Sequence, residues 1–223
     1  MSKKVFLSPS DQFSNKYAYG STTEGVQCGK IANYCKAALE RSGVDVMLMH
    51  DKSMSEKCAA SDKFGADLHV PIHTNAFNGK VMGTRMFCYS AGGKGMAACK
   101  AIFSELAPIS PGKSENIQVN AVLCEVRVPA APTAYIECEF HDTKAGAKWI
   151  VENTEKIGEA IAKGICKYLG VTFKAKPQPK PTNTGATIYR VQVGSYTKKE
   201  NAENMLTKLK KDGYSGFIVE GKL

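Results

Sequence analysis

No apolar run in this chain approaches the roughly 20 residues that a membrane span requires, so insertion into a bilayer is not expected. The amino terminus, MSKKVFLSPSDQ, lacks the long apolar stretch of a secretory leader, because Val5, Phe6 and Leu7 are followed at once by Ser8 and Pro9. The expectation is a protein made in the cytoplasm without a signal peptide. CxxC pairs are also missing. The eight cysteines are scattered singly along 223 residues, which argues against a zinc ribbon or a disulfide scaffold and for free, buried thiols. What is present is an ordinary globular balance, 43% hydrophobic and 23% charged. The net charge of +9 is unevenly placed: residues 1–170 hold 20 Lys/Arg against 17 Asp/Glu, and residues 171–223 hold 10 against 4. A basic tail suggests a polyanionic partner for that part alone.

The clearest boundary is KAKPQPKPTNTG, residues 174–185, whose alternating prolines favour an extended, solvated linker. Before it, strand and helix patterns alternate. Val5–Leu7, Val44–Met49, Leu68–Ile72, Gly83–Tyr89 and Ala134–Glu137 read as strands. Glu24–Ser42, Ser55–Gly65, Gly95–Leu106 and a long region Thr143–Leu169 read as helices. Ser110–Pro132, rich in turn residues, is expected to wander over the sheet end. This order predicts an α/β domain, a twisted and mostly parallel sheet covered by helices, over residues 1–172. A Pro/Lys-rich linker then spans 173–186, and a short β-α-β unit spans 187–223. In that unit Ile188–Gly194 alternates as a strand, Lys199–Lys211 is an amphipathic helix, and Phe217–Val219 makes a second strand.

In an open α/β sheet, ligands collect at the carboxyl ends of the strands. Asp11, His73 and Glu137 fall at such ends, and Glu24 opens the helix after the first strand. A carboxylate and an imidazole meeting there can form a zinc site with a position open to water, and a further carboxylate can take that water's proton. Taken singly, Glu24 also suits a helix N-terminal charge and His73 a hydrogen-bonded core histidine. Glu137, an acid ending an apolar run, is harder to explain without function. Cys138 as a nucleophile is the rival chemistry, but a thiol between two glutamates is poorly placed to ionise.

ADLHVPIHTNAFNG, residues 66–79, carries PIHTNA, which resembles the S-I-H-x-N-A segment of zinc-dependent N-acetylmuramoyl-L-alanine amidases, cell-wall hydrolases of the mixed-sheet type. PTAYIECEF, residues 132–140, is similar to that family's late P-x-x-x-x-E-x-x-F motif. Its opening D-P-G-H-G-G reads SPSDQ here, with Glu24 following Asp11. The resemblance covers roughly residues 3–170. It implies one Zn2+ ion with Glu24, His73 and Asp11 as ligands, Asp11 standing where the family has its first histidine. It implies Glu137 as the catalytic glutamate. Asn75, two residues after His73 and so on the same side, is placed either to orient substrate or to end the strand as a turn residue. The activity implied is hydrolysis of the amide between N-acetylmuramic acid and L-alanine, in a phage endolysin or lytic autolysin that reaches the cell wall after release. If the altered opening has cost the metal, the alternative is a non-catalytic peptidoglycan-binding protein.

The tail, YRVQVGSYTKKENAENMLTKLKKDGYSGFIV, resembles the first half of a SPOR repeat, a module that binds peptidoglycan strands. Nucleic-acid binding competes for any basic segment. Yet only Tyr189, Tyr196 and Tyr214 could stack on bases here, and no basic–aromatic motif of the RNA-binding kind is present.

Overall fold

The computed structural model describes residues 2–113, 115–176, 191–214 and 216–219. It divides into two units, Met1–Lys176 and Pro177–Leu223. In the first, strands β1 (Lys4–Pro9), β2 (Asp45–Leu48), β3 (Leu68–Asn75), β4 (Arg85–Cys88), β5 (Asn116–Val119) and β6 (Tyr135–Phe140) form one sheet in the order β2-β1-β3-β6-β4-β5. Every pairing is parallel except β4 with β6. Helices α1 (Glu24–Arg41), α2 (Met54–Phe64), α3 (Lys94–Leu106), α4 (Cys124–Arg127), α5 (Lys144–Glu152) and α6 (Thr154–Leu169) connect the strands. The mostly parallel, helix-covered sheet is the architecture the alternation of patterns predicted.

Alternation along each strand sorts the side chains onto two faces. Val5, Leu7, Leu68, Val70, Ile72, Met86, Ile136 and Cys138 point to one side, where Ile31, Cys35 and Leu39 of α1, Ile102 of α3 and Ile161 and Ile165 of α6 bury them. Each Ile or Leu fully removed from water stabilises the fold by about 1.5–3 kcal/mol. Glycines let these helices approach closely. A Cβ at Gly158 would meet the Ile31 carbonyl oxygen at 2.7 Å, and one at Gly164 would meet Ile102 Cα at 2.4 Å. The opposite face is polar in its middle: Ser8, His69, His73, Tyr135 and Glu137 lie there beneath α2 and α4. The chain passes from β1 outward to β2, then back across β1 to β3. The carboxyl ends of β1 and β3 therefore flank a topological switch point, where the two departing connections leave a crevice.

Two expectations need correcting. The region Thr143–Leu169 is two helices, because Asn153 leaves helical geometry (φ −127°, ψ 21°) and its side-chain Nδ2 donates to the Trp149 carbonyl at 2.8 Å. Ser110–Pro132 does not merely wander, since it contributes the edge strand β5 and the short helix α4. Four-residue elements lie below the length at which periodicity is legible.

In the second unit the expected amphipathic helix is present as α7 (Lys199–Lys211), without a buried residue. Of the flanking strands, residues 188–190 lie outside the described residues, as do linker residues 177–186, and 191–194 and 217–219 carry no strand pairing. A lone parallel pair is only marginally stable, so alternation alone cannot hold these segments together.

Candidate active site

The loop after β1 is pinned to the start of α1. Glu24 N–H donates to the Asn15 carbonyl at 2.9 Å and Gly25 N–H to the Gln12 carbonyl at 3.2 Å, so loop carbonyls satisfy helix donors that Thr23 does not cap. This drives the Glu24 side chain, 1% exposed, into the crevice. His73 Nδ1 donates to Glu24 Oε1 at 3.0 Å, and Asn15 Nδ2 donates to Glu24 Oε2 at 2.9 Å. Gln12 Nε2 adds a longer bond to Oε1, 3.4 Å. Burial alone would raise the Glu24 carboxyl, but the His73 hydrogen bond and charge, with Asn15 and Ser10, hold it below its ordinary value. His73 shows the reciprocal effect. Desolvation opposes its charge, yet Glu24, Glu137 and Glu125 together lift it above the usual imidazole range.

Glu137 is the register partner of His73 on the neighbouring strand, which puts the two on one face. Its Oε2 is enclosed and has no hydrogen-bond partner. Desolvation pushes its carboxyl up to about 7, with Glu24 adding to the rise and His73 and Arg85 opposing it. Tyr135, two residues earlier, stacks on His73 with ring centroids 4.7 Å apart and fixes the imidazole plane. Glu24, His73 and Glu137 are thus brought together.

Asp11 has other partners. Its carboxylate pairs with the buried ammonium of Lys57, accepts from Asp51 N–H at 2.5 Å, and lies 3.5 Å from His50 Nε2. Asn75 sits where the β3–β6 register shifts, and its Oδ1 accepts from Ala76 N–H at 2.8 Å, as a bend residue does. His141 is occupied with Thr74, donating to its carbonyl at 3.1 Å, and stacks on Tyr17. His69 donates to Glu125 Oε1 at 3.2 Å, and Ser8 Oγ donates to the same oxygen. Cys138 is fully buried on the opposite face, where burial pushes its thiol up, so thiol catalysis has no footing. The rim carries Phe77, 75% exposed, on a loop whose Phe77 and Gly79 N–H groups both donate to Asp142 at 2.8 Å.

Zinc in a hydrolase takes carboxylate oxygen and imidazole nitrogen, typically from three residues. Glu24 and His73 supply that chemistry at one point, with the unpartnered Glu137 beside them. Asp11 does not join them, and among the described residues no group of three His, Cys, Asp or Glu side chains is arranged to hold a metal ion. The donors fit zinc at two positions and not at the third expected one.

Sequence reasoning missed Gln12, Tyr135, Lys57 and Arg85, and considered Asn15 only as a substitute for Asp11 at the metal. Tyr135 was within reach, because residues two apart on a strand share a face. The others depend on loop closure or on strand register, which no local pattern carries.

An open α/β sheet with a carboxylate–imidazole pair and a second, enclosed carboxylate at its switch point has the layout of a hydrolase. The chain belongs to the N-acetylmuramoyl-L-alanine amidase family, which matches residues 14–167, and a SPOR domain match follows over 169–220. It is 23% identical over 226 residues to the sporulation-specific N-acetylmuramoyl-L-alanine amidase of Bacillus subtilis (strain 168), covering 97% of this chain and 84% of that protein. Among solved structures it is similar to the catalytic domain of CwlV, an N-acetylmuramoyl-L-alanine amidase from Bacillus (Paenibacillus) polymyxa, with 16% identity, a TM-score of 0.68, and coverage of 76% of this chain and 99% of that one. AmiC2 of Nostoc punctiforme gives 20% identity, a TM-score of 0.66, and coverage of 75% and 97%. The matched family span opens at Ser14, beyond Asp11.

Proposed function

We propose that this amidase cleaves the bond between N-acetylmuramic acid and L-alanine with Glu137 as its general base and acid. The observation that carries the proposal is the enclosed, unpartnered Glu137 Oε2 in register with the Glu24–His73 pair. A carboxyl poised near neutrality accepts the proton of the attacking water and returns it to the leaving amine. Glu24 and His73 would hold one zinc ion, which when bound lowers the pKa of a coordinated water and polarises the substrate carbonyl. Gln12 and Asn15 orient the Glu24 carboxylate, and Tyr135 orients His73. Asp11 lies outside this set in our reading, neutralising Lys57. The amide nitrogen of Asn75 is the part of that side chain left for substrate.

The SPOR unit supplies a second peptidoglycan contact. The likeness to a sporulation-specific relative favours a lytic autolysin over a phage enzyme. The deciding experiment measures zinc by elemental analysis together with turbidity loss of purified peptidoglycan. About one zinc per chain with clearing of the wall is expected, and Glu137→Gln should keep the metal and lose turnover by roughly 10²–10⁴-fold. A wild type that takes up no zinc and clears nothing, yet sediments with walls, would make the chain a peptidoglycan-binding protein instead.

A further inference from the structure

Past the carboxyl end of β3 the chain runs into a loop, residues 76–80, that is exposed along its whole length. It carries Phe77, which is 75% exposed. An isolated exposed apolar side chain is ordinary on a protein surface, but this one stands on an ordered base. Asp142 Oδ2 accepts from the N–H groups of both Phe77 and Gly79 at 2.8 Å, and Asn78 Oδ1 accepts from Lys80 N–H at 3.1 Å. Gly79 takes φ +70°, a conformation that a side chain would strain, and this lets the loop fold around the one carboxylate. Polar bonds therefore fix the backbone beneath Phe77 while its ring faces water.

Phe77 lies four residues beyond His73, so the two Cα atoms stand at most roughly 14 Å apart. His73 keeps 12% of its side chain in contact with solvent, so the pair it forms with Glu24 is not sealed off. A substrate held there by its scissile amide has two arms. The peptide arm begins at L-alanine, whose methyl group is too small to cover a phenyl ring. The glycan arm is built of pyranose rings, each with a flat face of C–H groups. Laying such a face on an aromatic ring removes apolar surface of both from water. Phenylalanine carries no hydroxyl, so it offers little to an ionised or strongly polar partner. A platform that is already ordered also binds with less loss of freedom than a mobile one.

We propose that Phe77 is a stacking platform for a sugar ring of the glycan strand, next to the muramic acid whose lactyl amide is cut. The platform rests on the amidase reading and deepens it: the enzyme favours linked saccharides over an isolated muramyl peptide. Phe77 is then a specificity-determining residue, and Asp142 is a positioning residue that acts through it.

The test compares kcat/KM, in the full chain, for muramyl tripeptide and for a tetrasaccharide of alternating N-acetylglucosamine and N-acetylmuramic acid carrying the same tripeptide. The tail is present in every variant, so its own contact with saccharide cancels in each comparison. In Phe77→Ala the ratio of tetrasaccharide to monosaccharide substrate is expected to fall at least tenfold, chiefly through the tetrasaccharide's KM, and Phe77→Trp should restore it. Asp142→Ala should shift the ratio in the same direction, and Asp142→Asn, which keeps an acceptor oxygen, should restore part of it. Equal losses on both substrates, or no loss on either, overturn the platform; equal losses would assign Phe77 to the peptide arm or to the site itself. Binding is read separately, by calorimetric titration of the tetrasaccharide into Glu137→Gln and into Glu137→Gln/Phe77→Ala, with melting curves confirming that both are folded. At least tenfold weaker binding by the double variant is expected, and equal binding overturns the proposal. A wild type that cleaves neither substrate while its binding of the tetrasaccharide still depends on Phe77 would refute the amidase mechanism and leave the platform standing.

Discussion

Asp11 and Glu24 are both acids beside the crevice, yet their surroundings give them different work. Lys57, 3% exposed at its side chain, holds Asp11 and also donates to the Pro9 carbonyl at 2.7 Å, so Asp11 joins α2 to the end of β1. Asp11→Asn should therefore leave zinc content unchanged and lower stability by roughly 1–3 kcal/mol in urea titration, less than a fully buried pair costs because Asp11 keeps some solvent contact. Glu24→Gln should lose zinc in elemental analysis, and loss of zinc from Asp11→Asn instead would return Asp11 to the metal. A second residue-scale prediction concerns Glu125. Burial would raise its carboxyl, but hydrogen bonds from His69 and Ser8 and the charges of His69 and His73 outweigh it and hold the group below its ordinary value. Cys58 and Tyr135 also feel its charge, and both sense it as an anion. A depressed folded-state value gives stability that is present above the unfolded carboxylate range and lost as pH falls through the folded value. The wild type should then lose stability steeply below about pH 4.3, and Glu125→Gln should flatten that slope in denaturation curves taken across the acid range.

At the scale of elements, α1 was legible because its apolar residues recur on one face; α2 was placed from Ser55, and the structure starts it at Met54 behind a reciprocal Ser53–Glu56 capping box and ends it at Gly65 (φ +68°). The break at Asn153 was not legible, since apolar spacing continues across it. Neither was β5, whose four residues need β4 beside them to become a strand. The packing of α6 rests on glycines rather than on its apolar stripe alone. Gly164→Ala would drive a methyl against the α3 backbone at Ile102. It should destabilise the fold by roughly 1–3 kcal/mol in chemical denaturation while sparing muropeptide turnover, because the α3–α6 contact lies across the sheet from Glu137.

For the whole molecule, the first unit has its own core and the site within it, and the SPOR match lies almost entirely in the second. A chain ending at Lys176 should fold and cleave soluble muropeptides, while its retention on sedimented walls should drop roughly tenfold or more through loss of the second contact. Undiminished retention would deny the tail its role. The sequence by itself determined the alternation of elements, the Glu24, His73 and Glu137 positions, and the family, because periodicity and short motifs are written within a few neighbouring residues. Only the tertiary structure decided that Lys57 pairs with Asp11, that Tyr135 braces His73, and that Arg85 and Asn116 continue the register row from Glu137. Those pairings arise from strand register and loop closure between residues tens of positions apart, and no local pattern encodes which of two nearby cations or acids will meet.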